Sequence, residues 1–179
     1  MMSTEMPDKT YELVRDLFIF STFTGFAYSD VKNLTEDNLQ TFFDGNLWII
    51  TRRKKTNMES NIRLLDVPRK IIEKYKGMTQ DNKVFPMPSN STCNKKLKVT
   101  AELCCIKAHL THHVARHSAA TTVLLSNGVP IETVSKLLGH TNIRTTQIYA
   151  KITAQKISQD KETLSHKLEG MEKNICKTI

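Results

Sequence analysis

Between residues 41 and 64 the hydrophobic pattern of this chain leaves helical spacing for short strand-like runs and then returns to it, and that switch limits the folds open to the chain. Thr41-Phe42-Phe43, the pair Asp44-Gly45 and the run Leu47-Trp48-Ile49-Ile50-Thr51 make a hairpin signal. Asp-Gly accommodates the positive φ angles of a tight two-residue turn. A second break at Thr56-Asn57 precedes residues 61–65, so three short antiparallel strands are expected. On either side the spacing is helical. Residues 10–23 carry Leu13, Val14, Leu17, Phe18, Phe20 and Phe23, with Gly25 as the stop. Ser29 is placed to cap a short helix, residues 35–40 read as a turn, and 67–76 read as a helix with Pro68 near its first turn. Residues 86–91 form a loop; helices are expected over 92–107, 112–127, 131–138 and 141–149, with a tail helix within 155–172. The expected class is mainly α with a small three-stranded antiparallel sheet, an α+β arrangement in one compact domain.

Charge adds a function class. The 179 residues hold 26 Lys+Arg against 18 Asp+Glu, a net charge of +8, but residues 1–50 carry −5 while 51–76 carry +6. The local excess in Arg52, Arg53, Lys54 and Lys55, expected at the tip of the second hairpin, suits phosphate neutralisation. A solvated surface hairpin is the plainer reading of the same charges. No apolar run approaches the roughly 18 residues of a membrane-spanning helix, and the acidic opening lacks the pattern of a secretory signal. Adjacent Cys104 and Cys105, with Cys93 and Cys176, fit reduced thiols better than a disulfide framework. These features predict a soluble intracellular protein.

Three clusters invite chemistry. His109, His112, His113 and His117 crowd together, yet Val114 stands where a zincin motif needs Glu, and no spaced Cys pair exists, so no metal site is expected. Residues 127–149 also read as two short helices joined at Gly139, with Asn142, Arg144 and Gln147 polar on the second. That pattern suits either a helix-turn-helix reading bases in a major groove or two packed helices with a wet face. His113 and Arg116, at i and i+3, share a helix face and could meet a phosphate, where Arg offers a bidentate fork and His a proton.

Taken together, His113-x-x-Arg116-His117, then Leu124-Leu125-x-x-Gly128-Val129, Leu137-Leu138-Gly139-His140 and Thr145-Thr146-x-x-Tyr149 resemble the C-terminal signature of the tyrosine recombinase (phage-integrase) family. Upstream, residues 23–35 are similar to the family's Thr-Gly-Leu-Arg box, and residues 51–56 to its lysine hairpin. The resemblance spans roughly residues 10–155 and is strongest toward integrases of conjugative or mobilisable elements. It implies the DNA breaking-rejoining fold over residues 1–155, a C-terminal tail over 156–179 that can be exchanged between protomers, and the absence of the N-terminal core-binding domain usual in the family.

The resemblance also implies roles. Tyr149 would attack the scissile phosphate to give a 3′-phosphotyrosyl bond and a free 5′-hydroxyl, needing neither ATP nor a metal cofactor. Arg116 would clamp the non-bridging oxygens, His113 would serve as acid/base, and His140 would donate a hydrogen bond to a phosphate oxygen. Lys55 would protonate the leaving 5′-oxygen, with Lys54 its rival, because a one-residue slip in strand register exchanges their faces. Asp30 would orient the site with His117 in support, and Arg52, Arg53, Lys54, Lys55 and Arg144 would bind DNA. The implied partners are double-stranded DNA, a homotetramer on paired sites formed from a DNA-free monomer, and accessory DNA-bending proteins; the implied setting is a prokaryotic cytoplasm, at the nucleoid. One departure stands out: Ala27 occupies the family's first arginine position. Losing one preorganised donor typically costs about 3–4 kcal/mol at a transition state, so either Arg52, Arg53 or Lys32 is expected to compensate, or DNA and a partner protomer assemble the site differently. A catalytically impaired DNA binder and a type IB topoisomerase-like enzyme are the alternatives.

Overall fold

The structure, a computed structural model, describes residues 1–2, 4–79, 81–150, 157–158, 160–166 and 168. The chain divides into two units, Met1–Tyr149 and Ala150–Ile179. In the first unit α1 (Lys9–Thr24) is sealed at both ends. Asp8 accepts from the Thr10 and Tyr11 amides at 2.6 and 2.9 Å, and Gly25, at φ 72°, donates its amide to Ser21 O. This helix is apolar around most of its circumference because it is covered on two sides. Leu13, Leu17 and Phe20 join Ile49, Ile62, Ile71 and Phe85 in one core; Val14 and Phe18 join Cys93, Leu97, Leu110 and Ala115 in another.

A short α2 (Tyr28–Asn33) follows, then a 3₁₀ turn at Glu36–Asn38. Strands β1 (Leu39–Thr41), β2 (Leu47–Arg52) and β3 (Glu59–Arg63) form an antiparallel sheet in sequence order, with Ile49 opposite both Leu39 and Ile62. Helices α3 (Asp66–Tyr75), α4 (Asn90–Leu103) and α5 (His112–Ser118) come next. After α5 the winding widens to a π-helix at Ala119–Leu124 and tightens to 3₁₀ at Leu125–Asn127. Helices α6 (Ile131–Leu137) and α7 (Arg144–Gln147) complete the unit. Mainly α with one small antiparallel sheet is the observed class.

Several local expectations are corrected. Ser29 lies inside α2; the helix starts after Ala27, whose amide donates to Asp30 Oδ2 at 3.2 Å. Residues 35–40 are a 3₁₀ turn leading into β1, which begins earlier than expected and ends before Phe42. The first hairpin turn is not a two-residue one: Phe42 N–H donates to Asn46 O, Gly45 N–H donates to Phe42 O, and only Gly45 takes a positive φ. The expected helix over 112–127 persists in extent but holds α geometry only to Ser118. The stretch 141–149 shortens to the single turn of α7, too short to be a base-reading helix, although Asn142, Arg144 and Gln147 are exposed.

In the second unit, residues 157–158, 160–166 and 168 are helical, with Ile157 and Leu164 exposed. The rest of the expected tail helix, Ile152 and Cys176 lie outside the described residues. Among the described residues no helix is long and apolar enough to cross a membrane.

Candidate active site

The end of α6 builds the site. A helix C-terminus leaves carbonyls without intrahelical partners and a partial negative charge. Here three successive carbonyls are taken up by groups distant in sequence. Ser60 Oγ donates to Leu137 O at 2.8 Å, Thr56 Oγ1 to Gly139 O at 3.1 Å, and Leu138 O receives both Arg53 Nη1 at 2.9 Å and Arg116 Nη2 at 2.5 Å. The β2–β3 hairpin is thereby fastened to the α6–α7 turn, with two guanidinium groups meeting at one oxygen.

Arg116, on α5, is 6% exposed. Its Nη1 donates to Gly25 O at 2.6 Å, and its Nη2 also lies 3.0 Å from His140 Nε2. Guanidinium only donates, so Nε2 must accept; His140 is the neutral tautomer with its proton on Nδ1, which lies 2.8 Å from Thr146 Oγ1. Burial, then the charges of Arg116 and Arg53, push the His140 pKa down to about 4, in keeping with that tautomer. Burial lowers Arg116 to about 10, helped by Arg53 and opposed by Asp30 and Tyr149, so Arg116 stays charged at neutral pH. In this state His140 Nε2 cannot donate to a phosphate; it holds Arg116 in place.

Tyr149 follows α7, its amide donating to Thr146 O at 3.0 Å. The His117 ring meets its ring edge-on at 4.5 Å between centroids, and the His140 ring stacks at 6.5 Å. His113 is exposed on the first turn of α5. Lys54 and Lys55 are exposed in the β2–β3 turn and form no ion pair among the described residues. Arg52 is exposed and pairs with Glu59 at 2.9 Å; Arg144 is exposed at the start of α7.

Arg53 differs from its neighbours. Expected at the exposed tip, it is 7% exposed, with Nε and Nη2 each 3.1 Å from Asp30 Oδ2. The reason is strand alternation. Ile49 points into the core, so positions 51 and 53 share its face, and Arg53 N–H extends the ladder by donating to Met58 O. Arg53 passes over Gly139, where a Cβ would lie 2.4 Å from Arg53 Cδ.

The structure thus brings together Tyr149, His117, His140, Arg116, Arg53 and Asp30, and leaves Lys54, Lys55, Arg52, Arg144 and His113 on the surface. Sequence reasoning missed the burial of Arg53, which the alternation from Ile49 signals, and missed Thr146 as the partner of His140, for which nothing in the sequence distinguishes it from Thr145. His112, grouped with the metal-like histidines, is instead buried. Its Nδ1 lies 3.2 Å from Ser21 Oγ, its ring packs edge-on to Tyr28, and burial pushes its pKa down to about 4. Among the described residues no group of three or more His, Cys, Asp or Glu is placed to hold a metal ion.

Residues 3–156 match the model of the phage integrase family. Tyrosine recombinase XerC of Caldanaerobacter subterraneus subsp. tengcongensis is 30% identical over 155 residues, covering 77% of this chain and 41% of that protein. The chain spans less than half the length of the curated relatives it matches. In fold it is similar to the crystal structure of XerA recombinase (TM-score 0.65, 20% identity, 89% of this chain and 65% of that one). It is also similar to the Tn1549 transposon integrase in complex with transposon right end DNA (TM-score 0.64, 19% identity, 89% and 61%).

Proposed function

The chain belongs to the phage integrase family of tyrosine recombinases, and from that premise we propose that it is the catalytic domain of a site-specific DNA recombinase of a mobile element. The observation that carries this reading is Tyr149 held between His117 and His140, with His140 bonded to the buried, charged Arg116. A phenol is a poor nucleophile at neutral pH, since its proton leaves only near pH 10. A buried cation beside the reacting phosphate lowers the cost both of the phenolate and of the charge gathering on the non-bridging oxygens.

In the proposed step Tyr149 Oη bonds to phosphorus as the 5′-oxygen leaves, giving a 3′-phosphotyrosyl link. His113 takes the phenol proton and Lys55, or its neighbour Lys54, gives one to the 5′-oxygen. One phosphodiester replaces another, so no external energy source enters the balance, and the reverse step with a partner strand's 5′-hydroxyl completes exchange. Arg52, Lys54, Lys55 and Arg144 are exposed cations able to meet backbone phosphates. The DNA complex solved for the Tn1549 integrase supports duplex DNA as the substrate. Two sites and four protomers, with tails exchanged between neighbours, make up the proposed assembly.

The test is covalent capture. Wild type and Tyr149→Phe are incubated in EDTA with nicked duplexes carrying a randomised core, and adducts that survive denaturant are recovered and sequenced. An adduct formed by wild type and lost in Tyr149→Phe is expected. Adducts in both proteins, or in neither while DNA is bound, sink the reading.

A further inference from the structure

We propose that Arg53 is a catalytic residue, the second guanidinium on the scissile phosphate, reaching the site from the β2–β3 hairpin. The inference rests on the functional reading above and extends it to a group that the hairpin's position alone would assign to DNA binding.

Four observations carry it. First, position 27 is Ala, and the space beside its backbone is occupied by the Arg53 head: Asp30 Oδ2 accepts from the Ala27 amide and from Arg53 Nε together. Second, Arg53 and Arg116 converge on Leu138 O, and the Arg53 charge acts on both Arg116 and His140. Third, one carboxylate, Asp30, faces these two guanidiniums, and with His140 neutral the cluster keeps a net positive charge in a buried place. Leaving a buried cation without a full counter-charge is costly, and an arriving phosphate removes that cost. Fourth, Gly139 holds a φ of 59° and no Cβ, which is the only way the Arg53 stem clears the α6–α7 turn.

The donor count agrees. Arg53 commits an N–H from each of its three nitrogens to Asp30 and Leu138 O, and Arg116 commits one on Nη1 and two on Nη2. Each guanidinium has five N–H groups, so each keeps two for the two non-bridging oxygens of a phosphate. Asp30 is then a positioning residue, aligning Arg53 as His140 aligns Arg116.

Removing Arg53 alone strands Asp30 as a buried charge, a change able to unfold the domain. The informative variant is therefore the double one, Asp30→Asn with Arg53→Met, which removes both charges and keeps an unbranched stem over Gly139. Cleavage is timed on captured nicked duplexes bearing either the normal scissile phosphate or a methylphosphonate, whose missing oxygen charge needs no cation. On the phosphate the double variant is expected to cleave about 10²–10³-fold slower than wild type, with DNA still bound. On the methylphosphonate that gap is expected to shrink below tenfold. If the double variant cleaves the phosphate within threefold of wild type, or is equally slow on both substrates, Arg53 is a structural clamp and the proposal falls. Should the double variant not fold, Arg53→Lys decides: at least tenfold slower than wild type on phosphate and equal to it on methylphosphonate supports the assignment, and equal rates on phosphate overturn it. Absence of a wild-type adduct overturns the functional reading and takes this assignment with it; a normal wild-type adduct with unaffected variants overturns the assignment alone.

Discussion

Two hairpins share β2, and they are held by opposite means. The β1–β2 turn is secured by its own neighbours: Asp44 accepts from the Asn46 amide and from Trp48 Nε1, and Phe42, Phe43 and Trp48 pack on one another at the surface. The β2–β3 hairpin is secured by partners some 80 residues away, through Ser60, Thr56 and Arg53 on the carbonyls at the end of α6. A turn stabilised locally forms wherever its strands pair. The second hairpin has its own ladder and turn bonds, and its place against the end of α6 is set by those three side chains, so the lysines at its tip and the site beneath it are positioned by one and the same set of bonds.

Paired glycines give the sharpest break in this comparison, for each takes a positive φ. Gly139→Ala drives a methyl into Arg53 and is expected to dislodge the Arg53–Asp30 pair, costing roughly 4 kcal/mol, read by chemical denaturation, and abolishing covalent capture. Gly45→Ala meets nothing within 4 Å and is expected to cost only the left-handed backbone penalty of about 1 kcal/mol, with capture unchanged. Equal losses at the two positions would show that Arg53 does not depend on the α6–α7 turn.

Acid is the next largest lever. His112 and His140 are both held near pKa 4 in the folded chain against 6.5 when free. The unfolded chain therefore binds more protons between these values, and the stability present above pH 6.5 is lost as the pH falls toward 4. His112, almost wholly buried, is expected to account for about 2 kcal/mol of that loss. Denaturation of wild type and His112→Phe at pH 7 and pH 4.5 reads it: the variant should lose less. Amide exchange over the same range should quicken around Leu137–Gly139, beside His140, before it quickens in the β1–β2 turn.

Smaller still, Ser60→Ala removes one bond to Leu137 O and is expected to cost about 1 kcal/mol, detected as a lowered thermal midpoint. Arg52→Ala breaks an exposed pair with Glu59 and should change stability by less than about 0.5 kcal/mol. A larger effect of Arg52 than of Ser60 would mean that the hairpin is held by its surface charges after all.

What could be read in advance follows the same division. The long α1 was legible because Asp8, the apolar spacing and Gly25 all act within a turn or two of the chain. The sheet was legible from its alternation and breaks, while the length of its first turn was not, because Phe42 rather than Phe43 closes the hairpin against Asn46 and Asp44 turns its side chain to accept from Asn46 and Trp48. Of the site, the residues Tyr149, Arg116, His140 and Asp30 can be named from their motifs, whereas Lys54 and Lys55 are not distinguished by the sequence because a one-residue change of strand register exchanges their faces. The burial of Arg53 was blurred among four adjacent cations, since charge alone does not say which side chain is turned inward.

By itself the sequence determined the class of the fold, its helical frame and the inventory of groups able to do phosphate chemistry, because periodicity, caps and residue types act locally. Only the tertiary structure decided that Arg53 and Arg116 share the Leu138 carbonyl, that His140 accepts rather than donates, and that Gly139 is the passage for Arg53. Those outcomes depend on where the unpaired carbonyls at the end of one helix meet a hairpin 80 residues upstream, and no local pattern records that meeting.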